Sequence, residues 1–144
     1  MDDVAMNKAA AIERCLRRVR EVYADDERNL REDQTRQDSI VLNLQRACES
    51  AIDLAMHLVR KHRLGIPQES REAFDLLAGA GIFPRASAER LRRMVGFRNV
   101  AVHDYQALNL DIVREIIHSH LDDLAAFASW SLTTAAQDPR RGSG

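Results

Sequence analysis

Apolar residues recur every three or four positions along most of this chain, the spacing that places side chains on one face of an α-helix. Three such stripes are long. They comprise Ile12, Cys15, Val19 and Val22, then Val41, Leu44, Cys48, Ile52, Ala55 and Val59, and finally Leu110, Val113, Ile117, Leu121, Leu124 and Ala128. Only 6 of the 144 residues are glycine and 3 are proline, so residues that break helices are scarce. The pattern predicts an all-α protein.

The first two stripes belong to two long predicted helices. The first helix is expected over residues 4–31, and a polar segment over 31–38 reads as the loop that follows it. Asp38 or Ser39 is a suitable N-cap for the second helix, which is expected to end near Gly65. This second helix carries apolar residues on more than one side, which favours a central position or a dimer interface.

Three further helices complete the predicted fold. A short third helix covers 69–78, the fourth begins at Ser87, and Asn109 caps the fifth. About five helices of these lengths predict an up-and-down bundle that forms one domain over residues 1–136. The remaining segment, QDPRRGSG at 137–144, is expected to be a disordered C-terminal tail.

Charge and hydropathy limit the possible locations and partners. The N-terminal segment is acidic and interrupted by charges, and no apolar run approaches 18 residues, so neither a secretory signal nor a membrane span is expected. We therefore predict a cytoplasmic protein. The formal net charge of −1 argues against a general nucleic-acid coat protein.

Basic residues are nevertheless concentrated in one region. The cluster consists of Arg85, Arg90, Arg92, Arg93 and Arg98. It would attract phosphates to one edge of an otherwise acidic molecule, and we identify Arg90 and Arg93 as candidate RNA-binding residues. A solvated helix face explains the outer four arginines equally well.

The segment Arg98 to Tyr105, RNVAVHDY, is the strongest candidate for a functional motif. Arg98 interrupts an apolar stripe formed by Leu91, Met94, Val95 and Val102. A guanidinium is costly to bury unpaired, so Arg98 is expected to meet a carboxylate, a second subunit or an anionic ligand. On a straight helix Arg98 and His103 diverge by roughly 140°. They converge if the helix frays or tightens near Val102, or if a second chain brings another pair across an interface. Alternatively, Arg98 is a buried salt-bridge member and His103 a favourable helix-end residue.

The motif resembles the Arg-x4-His-x-Tyr signature of HepT-like proteins, the toxin branch of the HEPN superfamily. Phe97, Asn99 and Asp104 add to the resemblance, and residues 91–128 and 44–59 are similar to long helices of that family. The similarity extends from residue 8 to about 136. It implies a HEPN-like helical bundle that forms a homodimer.

The resemblance also implies a metal-independent endoribonuclease, with Arg98 and His103 as catalytic residues in a cleft shared by two subunits. RNA carries its own nucleophile in the 2′-hydroxyl, so the protein has only to move protons and stabilise charge on the phosphate. A histidine suits the proton transfers, and an arginine binds phosphate oxygens in pairs. Asn99 is predicted to orient the histidine or the phosphate. The expected product ends in a 2′,3′-cyclic phosphate.

A third implication of the resemblance concerns Tyr105 and a protein partner. In HepT-like toxins the matching tyrosine receives AMP from a minimal nucleotidyltransferase (MNT) antitoxin, and this AMPylation neutralises the toxin. The implied partners are therefore RNA, such an antitoxin and a second copy of the chain. Alternatively, Tyr105 simply packs its ring against the bundle.

Two other polar sets were candidates for supporting roles. Asp53 and His57 lie four residues apart, close enough to pair on the helix surface, and are predicted either to form only that pair or to line the cleft of Arg98 and His103. His118 and His120 lie about 200° apart on a helix and cannot share one metal ion. With no other His or Cys pair at ligand spacing, no metal and no other cofactor is expected.

Two competing functions remain open from sequence. A non-catalytic HEPN-like module would use the same arginine to bind nucleotide or to hold a dimer. A helical adaptor would use its wide apolar faces to bind a partner protein.

Overall fold

The computed structural model describes residues 2–136, and all regular secondary structure in this part of the chain is helical. The helices are α1 (Asp3–Tyr23), α2 (Arg28–Arg31), α3 (Gln34–Lys61), α4 (Ser70–Gly79), α5 (Arg85–His103), α6 (Leu110–Ser119) and α7 (Leu121–Ala136). A single 3-10 turn, Tyr105–Ala107, lies between α5 and α6. The predicted all-α class is confirmed, with seven α-helices in place of about five. The predicted tail at 137–144 lies outside the described residues.

The four long helices α1, α3, α5 and α7 alternate in direction. Lys8 of α1 bonds Asp53 near the end of α3, whereas Arg36 near the start of α3 bonds the carbonyl of Val22 at the end of α1. Tyr105, just after α5, likewise meets the start of α3. The up-and-down bundle is therefore confirmed. Helix α3 packs against α1, α2, α4, α5 and α7, which confirms its predicted central position.

The core is almost entirely apolar, with Ser131 as a fully buried polar exception, and is closed at one end by aromatic rings. Phe74 of α4, Phe83 before α5, and Phe127 and Trp130 of α7 contact one another with ring centroids 4.6–5.7 Å apart. This cluster attaches α4 and the start of α5 to α7. It therefore holds in place the two helices that form the candidate site.

The predicted first helix over 4–31 is wrong because the chain turns after Tyr23. Ala24 and Asp25 both adopt positive φ, at 50° and 53°. The apolar periodicity would have placed Asp26 on the buried stripe, between Tyr23 and Leu30. In the turn, Asp26 instead accepts from the backbone N–H and side chain of Arg28. The break therefore spares a carboxylate from burial while Leu30 still reaches the core.

The other helix ends also differ in part from those predicted. Helix α3 begins at Gln34 because Asp33, rather than Asp38 or Ser39, accepts from the N–H of Arg36 at 3.1 Å. The predicted single fifth helix is interrupted at His120, whose imidazole meets Asp123 of α7 at 2.9 Å. The Asn109 cap is confirmed by its hydrogen bond from the N–H of Asp111.

No helix of residues 2–136 combines the length and the apolar character needed to cross a membrane.

Asp2 attaches the start of α1 to the end of α3. Its carboxylate accepts from the N–H of Ala5 at 3.0 Å, and it lies 2.8 Å from His57 Nε2 and 3.1 Å from Lys61 Nζ. We expect Asp2→Ala to lower the free energy of unfolding by about 2 kcal/mol, because it removes a helix cap and a charge-assisted network together. Asp3→Ala, which touches only the helix dipole, should cost less than about 1 kcal/mol. Denaturant titrations of both variants measure the difference, and equal losses would contradict the capping role.

The same carboxylate predicts a pH dependence of stability. Burial by itself raises the pKa of Asp2, but the hydrogen bonds from Ala5, His57 and Lys61 outweigh it, and the pKa lies well below the ordinary value of 3.8. A lowered folded-state pKa stabilises the fold above the ordinary value, and this contribution is lost as the pH falls through the lowered one.

Candidate active site

The Arg98–Tyr105 motif spans the end of α5 and the turn that follows. Helix α5 remains regular to His103, and the N–H of Asp104 closes its last turn on the carbonyl of Val100 at 2.8 Å. The helix therefore does not fray near Val102, and this route to convergence of Arg98 and His103 is excluded within the described chain. Because the helix stays straight, Arg98 and His103 point in different directions within one chain.

Arg98 lies half-buried between α5 and α4 with its charge uncompensated. Its Nη2 donates to Ser70 Oγ at 3.3 Å, and its Nε is buried without a hydrogen-bond partner. No carboxylate in the described chain forms an ion pair with it, so the salt-bridge interpretation is wrong for residues 2–136. A hydroxyl cannot balance a guanidinium charge. Of the three expected solutions, an anionic ligand and a second subunit remain.

The thiol of Cys48 on α3 lies in the field of Arg98. Burial raises the pKa of Cys48 to about 12, and the positive charge of Arg98 offsets only part of that rise. The thiol therefore stays neutral and does not serve as the missing counterion.

Helix α4 contributes a second arginine next to the motif. A Cβ added at Gly96 would lie 3.1 Å from Nη2 of Arg71, so the absence of a side chain at position 96 lets the Arg71 guanidinium lie close to α5. Arg71 forms a cleft of about 360 Å³ with Glu89, Arg92 and Arg93, which we call the arginine cleft.

The positive charges of the arginine cleft outnumber its negative charges. Neither Arg71 nor Arg93 forms an ion pair with another described residue, while Arg92 lies 3.5 Å from Asp75. Three guanidiniums, set against the carboxylates of Glu89 and Asp75, leave the cleft with a net positive charge. It suits an anion such as a phosphate.

Of the two arginines predicted to bind RNA, the structure leaves one available. Arg93 is exposed on the arginine cleft. Arg90 instead donates to Asp123 of α7 at 3.0 Å and to Ser87 at 3.2 Å. Its guanidinium joins α5 to α7, so its predicted role is unsupported by its position. Arg71 was missed by sequence reasoning, since only the crossing of α4 and α5 brings it beside the motif.

His103 and Asn99 share a side of α5. They are four residues apart, which makes them neighbours on a helix surface. His103 is exposed, Asn99 is half-buried, and neither side chain hydrogen-bonds another residue of the described chain. This placement is compatible with the prediction that Asn99 orients His103.

Tyr105 is the first residue of the 3-10 turn and contacts the start of α3. Its hydroxyl donates to Asp38 Oδ1 at 2.6 Å, and Gln37 Oε1 lies 3.4 Å away. Burial, followed by the hydrogen bond to Asp38 and its negative charge, raises the pKa of Tyr105 far above the ordinary value. The interpretation of Tyr105 as a ring that only packs against the bundle misses this carboxylate contact.

The structure does not bring Asp53 and His57 together, so the predicted surface pair is wrong. Asp53 pairs with Lys8 at 3.0 Å, and His57 pairs with Asp2 at 2.8 Å. Both contacts face α1, whereas Arg98 faces α4. Their supporting role in the cleft of Arg98 and His103 stays a prediction.

An apolar groove flanks the motif on the side of α6. It has a volume of about 470 Å³ and is lined by apolar residues that include Met94, Phe97, Leu108 and Ile116. Val100 and Ile112, at its edge, are 40% and 52% exposed.

Within residues 2–136, no three His, Cys, Asp or Glu side chains gather as a group able to hold a metal ion.

These features define a class: a small helical bundle that presents an uncompensated arginine and an exposed histidine on one helix beside a positive cleft. Residues 12–129 match the family described as Ribonuclease HepT-like. The mRNA nuclease HepT of Shewanella oneidensis is 49% identical over 127 residues, which cover 88% of this chain and 95% of that protein. The chain therefore belongs to the HepT-like ribonuclease family, and the resemblance seen in the motif is confirmed.

Solved structures agree with this assignment. One is a tri-AMPylated HEPN toxin of Shewanella oneidensis in complex with its MNT antitoxin. It matches with a TM-score of 0.87 at 47% identity and covers 92% of this chain and 99% of that one. A toxin–antitoxin complex with AMP-PNP matches with the same TM-score at 45% identity and the same coverage. The predicted HEPN-like fold and the prediction of a toxin–antitoxin nuclease are confirmed.

Proposed function

We propose that this protein is a toxin that cleaves RNA without a metal ion and that AMPylation of Tyr105 neutralises it. The observation that carries the cleavage proposal is the charge of Arg98, which meets no carboxylate in the described chain and retains a buried, unpartnered Nε on the helix that presents His103. A half-buried guanidinium without a carboxylate partner is suited to bind an anion. The proposed location is the cytoplasm, where RNA and nucleoside triphosphates are both present.

The proposed reaction uses the nucleophile that RNA carries. The 2′-oxygen attacks the adjacent phosphorus, the bond to the 5′-oxygen breaks, and the products are a 2′,3′-cyclic phosphate and a 5′-hydroxyl. His103 takes the 2′-hydroxyl proton or protonates the leaving oxygen. Arg98 donates to the nonbridging oxygens, where negative charge increases in the transition state. Asn99, one turn before His103, would orient the imidazole or the phosphate once RNA is bound.

We propose that two chains form the complete site. Arg98 and His103 diverge on a straight α5, so one chain alone does not direct both at one phosphate. Val100 within the motif and Ile112 on α6 are both exposed, and the apolar groove that they edge offers a surface for a second copy. A homodimer through this face would cover the apolar side chains and bring the two motifs together.

The proposed partner is an MNT-type nucleotidyltransferase antitoxin. The related Shewanella toxin is AMPylated and bound to such an antitoxin. Tyr105 matches the tyrosine of the family motif and lies two residues after His103. AMP on Tyr105 would add bulk and negative charge close to the site and compete with RNA phosphate for Arg98.

The test is cleavage of total RNA by the purified, unmodified protein in EDTA. Discrete fragments that end in 2′,3′-cyclic phosphate are expected, and DNA should stay intact because it lacks the attacking hydroxyl. Mass spectrometry of the same sample establishes that Tyr105 carries no AMP. Intact RNA from such a sample would overturn the nuclease proposal and favour a non-catalytic module.

The arginine cleft predicts a specific effect on RNA affinity. We expect Arg71→Gln to weaken binding of uncleaved RNA about three- to tenfold and to reduce the slope of log affinity against log salt by about 0.7, the value for one contact to single-stranded phosphate. Binding is measured in a His103→Ala background, so that the RNA survives. Arg17→Gln on exposed α1 removes the same charge and serves as the control. Equal losses in both variants would show that Arg71 acts only through net charge.

A further inference from the structure

The hydroxyl of Tyr105 is oriented by a small network at the start of α3. Asp38 Oδ1 accepts from the Tyr105 hydroxyl at 2.6 Å and from Gln34 Nε2 at 2.7 Å. Gln34 Nε2 also donates to Gln37 Oε1 at 3.1 Å, and that oxygen lies 3.4 Å from the tyrosine hydroxyl. Gln34, Gln37 and Asp38 are spaced three and four residues apart, so they share one face of the first turns of α3.

This network depends on where α3 begins. Asp33 caps the helix, so Gln34 to Asp38 are already helical. Had the helix begun at Ser39, these side chains would lie in a loop with no shared face. Asp38 is exposed, as a modifying enzyme would require, while its orientation is set by two hydrogen bonds.

We propose that Asp38 assists the modification of Tyr105: it orients the hydroxyl and accepts its proton as AMP is transferred. This inference rests on the proposed AMPylation. The co-reactant is a nucleoside triphosphate delivered by the nucleotidyltransferase. Tyr105 Oη bonds to the α-phosphorus, the bond from that phosphorus to the oxygen bridging to the β-phosphate breaks, and pyrophosphate leaves with the electron pair. The phenolic proton passes to Asp38 and then to water.

The ionisation of the two groups suits this role. The hydrogen bonds from Tyr105 and Gln34 lower the pKa of Asp38, so its carboxylate is charged at neutral pH. The pKa of Tyr105 is raised by burial and by Asp38, so the attacking group is a neutral phenol. A phenol must lose its proton as its oxygen bonds to phosphorus, and Asp38 is already placed within 2.6 Å to accept it.

The experiment compares the rate of AMP incorporation at Tyr105 in the full-length protein, mixed with its nucleotidyltransferase and ATP. Asp38→Asn is expected to lower kcat for transfer about 100-fold, with KM for ATP and the affinity for the transferase within about threefold of the original values. Asp38→Glu, which retains a carboxylate, should recover most of the rate. Asp25→Asn makes the same chemical change on an exposed turn and should have no effect.

The outcomes distinguish failure of the proposed role of Asp38 from failure of the proposed AMPylation of Tyr105. Equal rates for Asp38→Asn and the original protein would overturn the role of Asp38 and leave AMPylation of Tyr105 intact. No AMP on Tyr105 of the original protein would overturn both. RNA cleavage by unmodified Asp38→Asn should stay within twofold of the original, because Asp38 has no part in the nuclease. If the variant loses cleavage as well and melts early, or if Glu is no better than Asn, Asp38 is structural and the inference fails.

Discussion

His103→Ala should lower the rate of RNA cleavage by a factor of about 10² to 10⁴ while the protein stays folded. The kinetic loss is what a general acid or base typically contributes. The fold should tolerate the change because His103 is exposed at the last position of α5 and hydrogen-bonds no other residue of the described chain. Loss of such a surface side chain usually changes the free energy of unfolding by less than about 0.5 kcal/mol.

The measurement is single-turnover cleavage of a defined RNA in EDTA, beside a thermal melt and a determination of oligomeric state. Asn7→Ala, a neutral change at an exposed position of α1, is the matched control. Cleavage by His103→Ala within threefold of the original rate would remove His103 from the reaction. A dissociated or unfolded variant would show that the imidazole has a structural role instead.

Arg98→Met should abolish cleavage and stabilise the fold at the same time. The kinetic effect follows from loss of a charged donor to the phosphate, for which a factor of at least about 10² is expected. The stabilising effect follows from the buried Nε, which has no partner, and from the absence of a carboxylate to balance the guanidinium. An apolar side chain of similar length removes that penalty, so the free energy of unfolding should rise by about 1 kcal/mol.

Arg98→Lys separates charge from geometry. Lysine keeps the positive charge but lacks the planar pair of donors, so cleavage should still fall by about tenfold or more. Denaturant titration of the methionine variant in the absence of RNA provides the stability readout. A variant that is destabilised by 2 kcal/mol or more would mean that Arg98 serves the fold, and would contradict its assignment to an anionic ligand.

Much of the architecture was predictable because the core is formed by long amphipathic stripes. The stripe Val41 to Val59 correctly predicted a central helix, and the Asn109 cap was predicted because Asn readily accepts from an N–H of the first turn. The break after Tyr23 was not predictable from periodicity, since Leu30 continues the stripe across it. A continued helix would have buried the carboxylate of Asp26, at a cost in free energy. Whether that position is buried depends on how the other helices pack around it.

Some residues of the candidate site were predictable from the sequence and others were not. Arg98, Asn99, His103 and Tyr105 lie within eight consecutive residues, so a family motif revealed all of them. Arg71 is 25 residues from Gly96, against which its guanidinium lies, and Asp38 is 67 residues from Tyr105; both residue types are common on helix surfaces. Arg90 has the residue type expected of a phosphate ligand, but Asp123 of α7 is its partner.

By itself, the sequence determined the helical class, the central helix and the identity of the motif, because periodicity and short motifs are local properties of a chain. The tertiary structure decided that Arg98 has no carboxylate partner within residues 2–136, that Arg71 joins the positive cleft, and that Asp38 holds the hydroxyl of Tyr105. Each of these depends on which helices pack against each other and on how deeply each side chain is buried between them. Burial and partner distance, which decide whether a charge is compensated, exist only after the helices have packed.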